Sequence, residues 1–322
     1  MSAPAPSLSL AYLVAEVVRP AAWERFCADM LGLPAPSRDA AGRLGWQLDD
    51  RAQRLVVEPG PRDDLAALGF ACADDAALDA LLGRLAAAGR PAEAADDALR
   101  AARRVRRLHR GTDPDGNAIE LAVGLEPAER PFASDAFPDG LQAGDDGFGH
   151  VALVTHDLPG MERFYADALG FAVTERLETR VGPLEVRGVF MHCNRRHHTL
   201  ALFDVPLAKR LHHFMLEAPT LRDIGVAHER ARRLRVPMSL GLGQHPSPDD
   251  TFSFYGATPS GFDFEIGAGA RQIEPDGWTV RHAKRTSAWG HRPALRLRLK
   301  MVGGLLRSRL GRRRAAAAGA AR

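Results

Sequence analysis

The sequence predicts an α+β protein of four βαβββ modules in two tandem domains, with mixed sheets curved around a cleft. The first observation is a repeat, since residues 23–33 read WERFCADMLGL and residues 161–171 read MERFYADALGF. The second is that TDPDGNAIE, ending at Glu120, matches ATPSGFDFE, ending at Glu265, at a similar offset. The third is that each half divides again into a strand, a helix and further strands. A repeat this long indicates a domain duplication and not a solenoid.

Apolar periodicity and turn residues define the elements of the first half. We predict a strand over residues 8–15, a helix over 21–31, short strands within 42–58, a strand over 67–74 and a helix over 75–89. Both helices end at a glycine, Gly32 and Gly89, as is common at helix C-termini. A basic stretch, residues 100–110, then leads through the DPDG turn into a last strand.

The second half repeats this order. We predict strands near residues 150–155, 184–192 and 198–203 with a helix over 160–169, then strands near 213–218, 251–255 and 262–266 with a helix over 221–234. The stretch between the halves, residues 125–147, is rich in Pro, Gly and Asp and has no strong period, which is typical of a linker.

The expected domain organisation follows from these patterns. It consists of an N-terminal domain without a metal site over residues 1–130, a linker over 131–147, a catalytic domain over 148–291 and a basic, disordered tail over 292–322. Hydrophobic content of 45% and charged content of 26% are ordinary for a globular protein. No apolar run approaches the ~20 residues that span a bilayer. Three scattered cysteines and an N-terminus unlike a signal peptide lead us to expect a reduced, cytoplasmic protein.

Charge is distributed unevenly along the chain. Of 43 basic residues, 13 follow Asp276, where no acidic residue occurs, so the body has a net charge of −10 and the tail +13. Three interpretations of the tail stay open. They are attachment to an anionic membrane surface, nonspecific contact with nucleic acid, and a solvated disordered extension.

The repeat also identifies a candidate metal site. The second half offers two imidazoles and a carboxylate where the first offers a phenol, no side chain and a carboxylate. The pairs are Tyr12 with His150, Gly69 with His213, and Glu120 with Glu265. Two imidazoles and one carboxylate are the ligands of non-haem Fe(II) sites with open positions. A buried, unpaired carboxylate is costly, so Glu265 in its apolar strand requires a cation; Glu120 shows that the module can also carry this carboxylate without a metal, at a sheet edge or paired with an Arg.

The choice between His212 and His213, at the start of the strand predicted near residues 213–218, depends on the same repeat. Sliding GHVALVTHDL onto HHFMLEAPTL places His150 on His213 and not on His212. Because side chains alternate between the faces of a strand, we expect His213 and Met215 to point inward and His212 to point outward.

Several longer stretches carry a family resemblance. They are GFGHVAL at 147–153, FYADALGF at 164–171, MHCNRRHHTLAL at 191–202, PLAKRLHHFMLE at 206–217, FSFYGATPSGFDFEIG at 252–267 and VRHAKRTSAWGH at 280–291. The chain resembles the type I extradiol ring-cleaving dioxygenases of the vicinal oxygen chelate superfamily, most of all the 2,3-dihydroxybiphenyl 1,2-dioxygenase group. The resemblance covers residues 8–291, and the basic tail is not part of the family pattern.

The resemblance implies roles for particular residues. His150, His213 and Glu265 would bind Fe(II), although Mn(II) shares these ligands. The second-sphere acid and base would be His198, while Tyr255 and His245 would form hydrogen bonds beside the substrate oxygens. The implied pocket residues are Phe190, Ala152 and Met191, with Asp249 or Asp250 in a neighbouring role because the loop after His245 is one residue longer than in the family.

The implied function is extradiol (meta) cleavage of a substituted or bicyclic catechol by O₂, in aromatic catabolism and in a homo-oligomer. The product would be a ring-opened semialdehyde or keto compound. Two alternatives from the same superfamily stay open, a metal-dependent glyoxalase-like lyase or isomerase and a non-enzymatic small-molecule binding protein. The stretch around His198 and Tyr255 favours the dioxygenase, because a glyoxalase does not need it and a sequestering protein would not keep a His/His/Glu set.

Overall fold

The computed structural model describes residues 8–181, 184–274, 278–295, 297–299 and 301–304. The first half contains β1 Leu8–Val17, α1 Pro20–Asp29, β2 Ser37–Arg38, β3 Leu44–Trp46, β4 Leu55–Pro59, β5 Asp64–Cys72, α2 Asp75–Ala87, β6 Glu93–Ala94, α3 Asp97–Arg103, β7 Val105–Thr112 and β8 Ala118–Leu125. The second half contains β9 His150–Val154, α4 Leu158–Asp167, β10 Ala172–Val181, β11 Leu184–His192, β12 Leu200–Asp204, β13 Leu211–Glu217, α5 Leu221–Arg233, β14 Met238–Gln244, β15 Phe252–Ala257, β16 Asp263–Ala268, β17 Arg281–Ala283 and β18 Trp289–Gly290.

The strands form two mixed sheets, one in each half. Their orders are β2-β3-β4-β1-β5-β8-β7-β6 and β17-β10-β11-β12-β9-β13-β16-β15-β14-β18. Each half holds two βαβββ modules, and the first strands of the two modules pair antiparallel in the middle of the sheet. The predicted α+β fold of four modules in two halves is confirmed.

The predicted helices correspond to α1, α2, α4 and α5. Helix α3 was missed, because the sequence of residues 100–110 was interpreted only as a basic stretch and it contains the end of α3 and most of β7. The signal for α3 is local, since the Asp96 side chain accepts a hydrogen bond from the N–H of Leu99 at the helix N-terminus. Strands β10 and β14 were also missed.

The central strand pairs show which residues correspond between the halves. Tyr12 lies opposite Gly69 in β1–β5, and His150 lies opposite Met215 in β9–β13. Gly69 therefore corresponds to Met215, and the prediction that paired it with His213 is wrong. An error of two residues leaves every side chain on the same face, so the apolar alternation could not reveal it.

The true counterpart of His213 in the first half is Ala67. Each stands next to a register shift at the same place in its strand, between Leu65 and Ala67 in β5 and between Leu211 and His213 in β13. The bulge is thus part of the duplicated unit. Since bulges redirect side chains, its preservation bears directly on the site described below.

Helices of each half contact the other half. The indole N–H of Trp23 in α1 donates to Ser260 Oγ at 2.8 Å, and the Trp23 and Phe262 rings lie 5.6 Å apart. In the reverse direction, Tyr165 in α4 donates to a carboxylate oxygen of Asp113 at 3.2 Å. One apolar cluster extends through both halves. The domain boundaries given above stay predictions.

The segment after β18 departs from the expectation of a disordered tail beginning at residue 292. Residues 295, 297–299 and 301–304 are helical. Met301 packs against a small apolar cluster of the second sheet, which explains why this part is ordered against the body. Residues 296, 300 and 305–322 of the predicted tail lie outside the described residues. Within the described chain, no helix combines the length and apolar character needed to cross a membrane.

The contact made by Trp23 provides a test of how strongly the halves are coupled. Trp23→Ala should lower the free energy of unfolding by about 3–5 kcal/mol, because it removes a fully buried ring and the hydrogen bond that its indole N–H donates to Ser260. Urea denaturation followed by circular dichroism measures the change. The exposed control Val18→Ala should shift it by less than about 0.5 kcal/mol. Equal losses in both variants would contradict the coupling.

Candidate metal centre

Three buried side chains from adjacent strands converge on one point. They belong to His150 of β9, His213 of β13 and Glu265 of β16, with β13 between the other two strands. The Nε2 atoms of the two histidines are 3.2 Å apart. Oε2 of Glu265 lies 3.1 Å from Nε2 of His150 and 3.4 Å from Nε2 of His213. Each residue therefore offers one ligand atom to a common centre.

This arrangement fits a metal ion better than a hydrogen-bonded triad. Both carboxylate oxygens of Glu265 are buried, and neither accepts a hydrogen bond from any residue in the described part of the chain. A buried carboxylate is strongly destabilising unless a cation compensates it, and an ion bound where the three ligand atoms meet would lie closer than His245, whose Nε2 is 3.6 Å from Oε1 of Glu265. Ligand atoms bound at about 2.1 Å and at right angles to one another stand about 3.0 Å apart, close to the distances between these three atoms.

Burial and neighbouring groups give His150 and Glu265 the protonation states that a metal needs. Burial lowers the pKa of His150, which keeps this imidazole neutral. Burial alone would raise the pKa of Glu265, but its contacts with His150, His213 and His245 hold it well below its ordinary value. A neutral imidazole and an ionised carboxylate are the forms that bind metals.

The bulge in β13 brings a further histidine to the site. His212 is the extra residue between Leu211 and His213, and it is half-buried and borders the same cavity as His213. The expectation that His212 points outward is wrong, because a bulge interrupts the alternation of faces. Nδ1 of His212 lies 2.8 Å from Nδ1 of His213. A contact of this kind is one that orients metal-ligating imidazoles in other proteins.

His198 stands beside the triad. Its ring centroid lies 4.0 Å from that of His150 and 5.0 Å from that of Phe190. Burial lowers the pKa of His198 well below its ordinary value, so the imidazole is neutral and can accept a proton. Nδ1 of His198 lies 3.1 Å from Nδ1 of His197, which holds the ring in place.

Tyr255 and His245 form a hydrogen-bonded pair at the same cavity. The Tyr255 hydroxyl lies 2.8 Å from Nε2 of His245, and Nδ1–H of His245 donates to the Thr286 carbonyl at 2.8 Å. Burial opposes protonation of His245, but its contacts with Glu265 and Asp249 raise its pKa to about 9. His245 is therefore a cationic hydrogen-bond donor close to the triad.

An apolar cavity of about 170 Å³ borders His150 and His213 of the triad, together with His198, His245 and Tyr255. Phe190 and Asp249 border it, at positions where the sequence placed pocket residues. Sequence reasoning missed Glu175, whose buried carboxyl also borders the cavity and whose pKa is raised to about 7 by burial. It also missed Leu297 and Met301, because the family resemblance ends before them.

Three predicted pocket residues lie elsewhere among the described residues. Met191 belongs to the main apolar core, because Phe190 precedes it on β11 and adjacent side chains point to opposite faces. Ala152 is buried within β9 and does not border the cavity. Asp250 pairs with Arg271 at 2.7 Å, so of the two acidic candidates in this loop only Asp249 reaches the cavity.

The corresponding point of the first half holds an ion pair. The Tyr12 hydroxyl donates to Glu120 at 2.9 Å, and the Arg103 guanidinium donates to both oxygens of Glu120 at 2.7 and 3.0 Å. A Cβ on Gly69 would lie 2.1 Å from the Tyr12 ring, so this glycine makes room for the phenol. Glu120 therefore obtains its cation from Arg103, in agreement with the pairing with an Arg considered from the sequence.

Comparisons with known proteins agree with this geometry. The model of the Glyoxalase/Bleomycin resistance protein/Dioxygenase superfamily matches residues 147–266, and that of the first domain of dihydroxybiphenyl dioxygenase BphC matches residues 10–60. The 3-methylcatechol 2,3-dioxygenase of Pseudomonas putida is 39% identical, over 88% of this chain and 97% of its own. An iron-dependent extradiol dioxygenase of Rhodococcus jostii is 34% identical, over 88% and 96%. The crystal structure of a catechol 2,3-dioxygenase superposes with a TM-score of 0.83 at 32% identity, over 90% and 95%.

Iron binding tests the triad. Wild-type protein loaded with Fe(II) under anaerobic conditions should hold about one iron per chain, whereas Glu265→Ala should bind iron at least about 100-fold more weakly, because one of three ligands is lost. A colorimetric chelator assay after gel filtration measures the metal. Glu120→Gln, at the equivalent position of the first half, is the matched control and should retain its iron. Full iron content in Glu265→Ala would refute the site.

Proposed function

The chain belongs to the extradiol dioxygenases of the glyoxalase/bleomycin resistance protein/dioxygenase superfamily, and on this premise we propose that it cleaves a catechol ring with O₂ beside the two hydroxyl groups. Both atoms of O₂ enter the ring-opened semialdehyde product, so the reaction consumes no external reductant. The observation that carries the proposal is the convergence of His150, His213 and Glu265 beside an apolar cavity that both histidines border.

Iron(II) is the cofactor that this donor set fits, with the two imidazoles and the carboxylate of the triad as its protein ligands. When bound, it supplies the coupling between the catechol and O₂ that amino-acid side chains cannot provide. The three residues would hold the ion from the protein side, and the substrate would approach from the cavity that His150 and His213 border. The apolar wall excludes bulk water there and receives the aromatic ring.

His198 is positioned to act as acid and base. It borders the cavity, and its neutral imidazole can take a proton from a catechol hydroxyl and return it to an oxygen of the opening ring. The Tyr255 hydroxyl, which can accept a hydrogen bond from the cationic His245, can donate its own hydrogen bond to a substrate oxygen, so the pair of Tyr255 and His245 can fix the orientation of the ring. These three groups support oxidative ring cleavage over a glyoxalase-like isomerisation, which would consume no O₂.

Replacing His198 separates the acid–base role from metal binding. His198→Phe should keep its iron and reduce kcat by about 10²–10⁴-fold, because proton transfer loses its positioned group. An oxygen electrode and the absorbance of the ring-opened product measure turnover of 3-methylcatechol. His228→Phe replaces a half-buried histidine of α5 outside the cavity and should leave kcat unchanged.

Each outcome of this experiment is informative. Loss of iron from His198→Phe would make His198 a ligand instead of an acid and base. Unchanged kcat would remove it from the reaction. Absence of catechol-dependent O₂ uptake by the iron-loaded wild type would overturn the proposed function.

We also infer that the C-terminal segment contacts an anionic membrane surface. The helical residues after position 294 expose three apolar side chains, Leu295 by 71%, Leu299 by 62% and Val302 by 52%. The sequence after Asp276 adds 13 basic residues and no acidic one. An apolar stripe beside basic residues is typical of helices that lie in the headgroup region of anionic bilayers.

Vesicle binding tests this inference. The full chain should sediment with phosphatidylserine vesicles and not with phosphatidylcholine vesicles, and added salt should weaken the binding. Leu299→Glu should reduce the sedimented fraction, because it places a negative charge in the apolar stripe. Equal recovery in the supernatant with both lipids would refute membrane contact, and binding to duplex DNA alone would assign the basic residues to nucleic acid.

A further inference from the structure

We propose that the C-terminal segment, residues 293–295, 297–299 and 301–304, is a wall of the substrate cavity and that Leu297 and Met301 restrict it to monocyclic catechols with short substituents. The inference rests on the function proposed above and names the substrate class of the same site. It concerns a part of the chain that lies beyond the family resemblance, which ends at His291.

Both ends of the segment are held against the second half. At its start, Pro293 forms an isolated bridge with Leu240 of β14. At its end, Gly304 is buried against the chain at Pro206, where a Cβ would stand 1.8 Å from the Pro206 carbonyl oxygen. Because a backbone oxygen cannot move aside as a flexible side chain can, only glycine allows this approach. The segment is therefore fixed across the cavity.

The inner side of the segment faces the cavity. Leu297 and Met301 are four residues apart, which places them on one face of a helix, and both are half-buried. They border the cavity that also contains His150. Met301 packs in addition against a cluster that includes Leu177 and Val186. These contacts join the segment to the apolar wall of the cavity.

The size of the cavity determines which catechols fit. With the segment in place, its volume is about 170 Å³, below the roughly 300–1,000 Å³ of ordinary ligand pockets. One aromatic ring with a short alkyl group fits such a space, whereas a second aryl ring would have to displace the segment. Leu297 and Met301 therefore act on substrate choice and not on the reacting atoms.

A specificity ratio tests this proposal in the full chain. For the iron-loaded protein, kcat/KM is measured with 3-methylcatechol and with 2,3-dihydroxybiphenyl, and the wild type should favour the former. Leu297→Ala and Met301→Ala should each shift the ratio toward the biphenyl by about tenfold, since removing side-chain carbons enlarges the cavity. Leu297→Phe should shift it the opposite way, because it fills space. A merely destabilising change would not produce opposite signs at one position.

The matched control lies on the same segment. Leu299→Ala removes the same atoms from an exposed side chain and should leave the ratio within about twofold of wild type. Gly304→Val forces the segment away from Pro206 without replacing a side chain that borders the cavity, and it should shift the ratio as Leu297→Ala does.

The outcomes distinguish this inference from the function on which it rests. Turnover of neither catechol by the wild type would overturn the proposed function and the wall together. Turnover of 3-methylcatechol with a ratio that Leu297→Ala, Leu297→Phe and Met301→Ala all leave unchanged would overturn the wall alone. A wild type that prefers the biphenyl would overturn the size restriction.

Discussion

The need of a buried carboxylate for a positive charge governs both halves of this protein. The same glutamate position recurs in β8 and β16, deep inside each sheet, as Glu120 and Glu265. In the first half Arg103 supplies the positive charge and donates hydrogen bonds to both oxygens of Glu120. The Tyr12 hydroxyl donates a further hydrogen bond to the same carboxylate. In the second half no side chain of the described structure donates a hydrogen bond to the Glu265 carboxylate. The imidazoles of His150 and His213 lie beside it instead. The duplicated scaffold thus supports either an internal ion pair or a metal.

The first half retains a structural role although it holds no metal site. Trp23 and Phe262, from opposite halves, share the apolar core behind the strands that carry the ligands. The distances among three ligand atoms must be kept within tenths of an ångström, and this requires strands that cannot shift. The contact of α1 with the second half, together with the central position of β9 and β13, provides that rigidity.

Sequence reasoning predicted the modules and the triad because both are repeated or chemically unusual. It failed where structure depends on register or on distant packing. The pairing of Gly69 with His213 was wrong by two residues, since such a slip preserves the apolar face. The position of His212 depends on a bulge that leaves no signal in composition. Met191 was assigned to the pocket by resemblance, although its neighbour Phe190 occupies that face.

The C-terminal segment shows why a basic tail should not be judged by charge alone. The charge of the segment predicts a solvated chain. Apolar residues nevertheless recur in it at helical spacing, and they form two sets, one at the cavity and one exposed. Leu297 and Met301 turn toward the cavity, whereas Leu299 and Val302 stay exposed. A helix that is apolar on both sides is stable only where each side meets an apolar environment. The cavity borders the first set, and the proposed contact with an anionic membrane surface would cover the second, at a place where hydrophobic catechols would also concentrate.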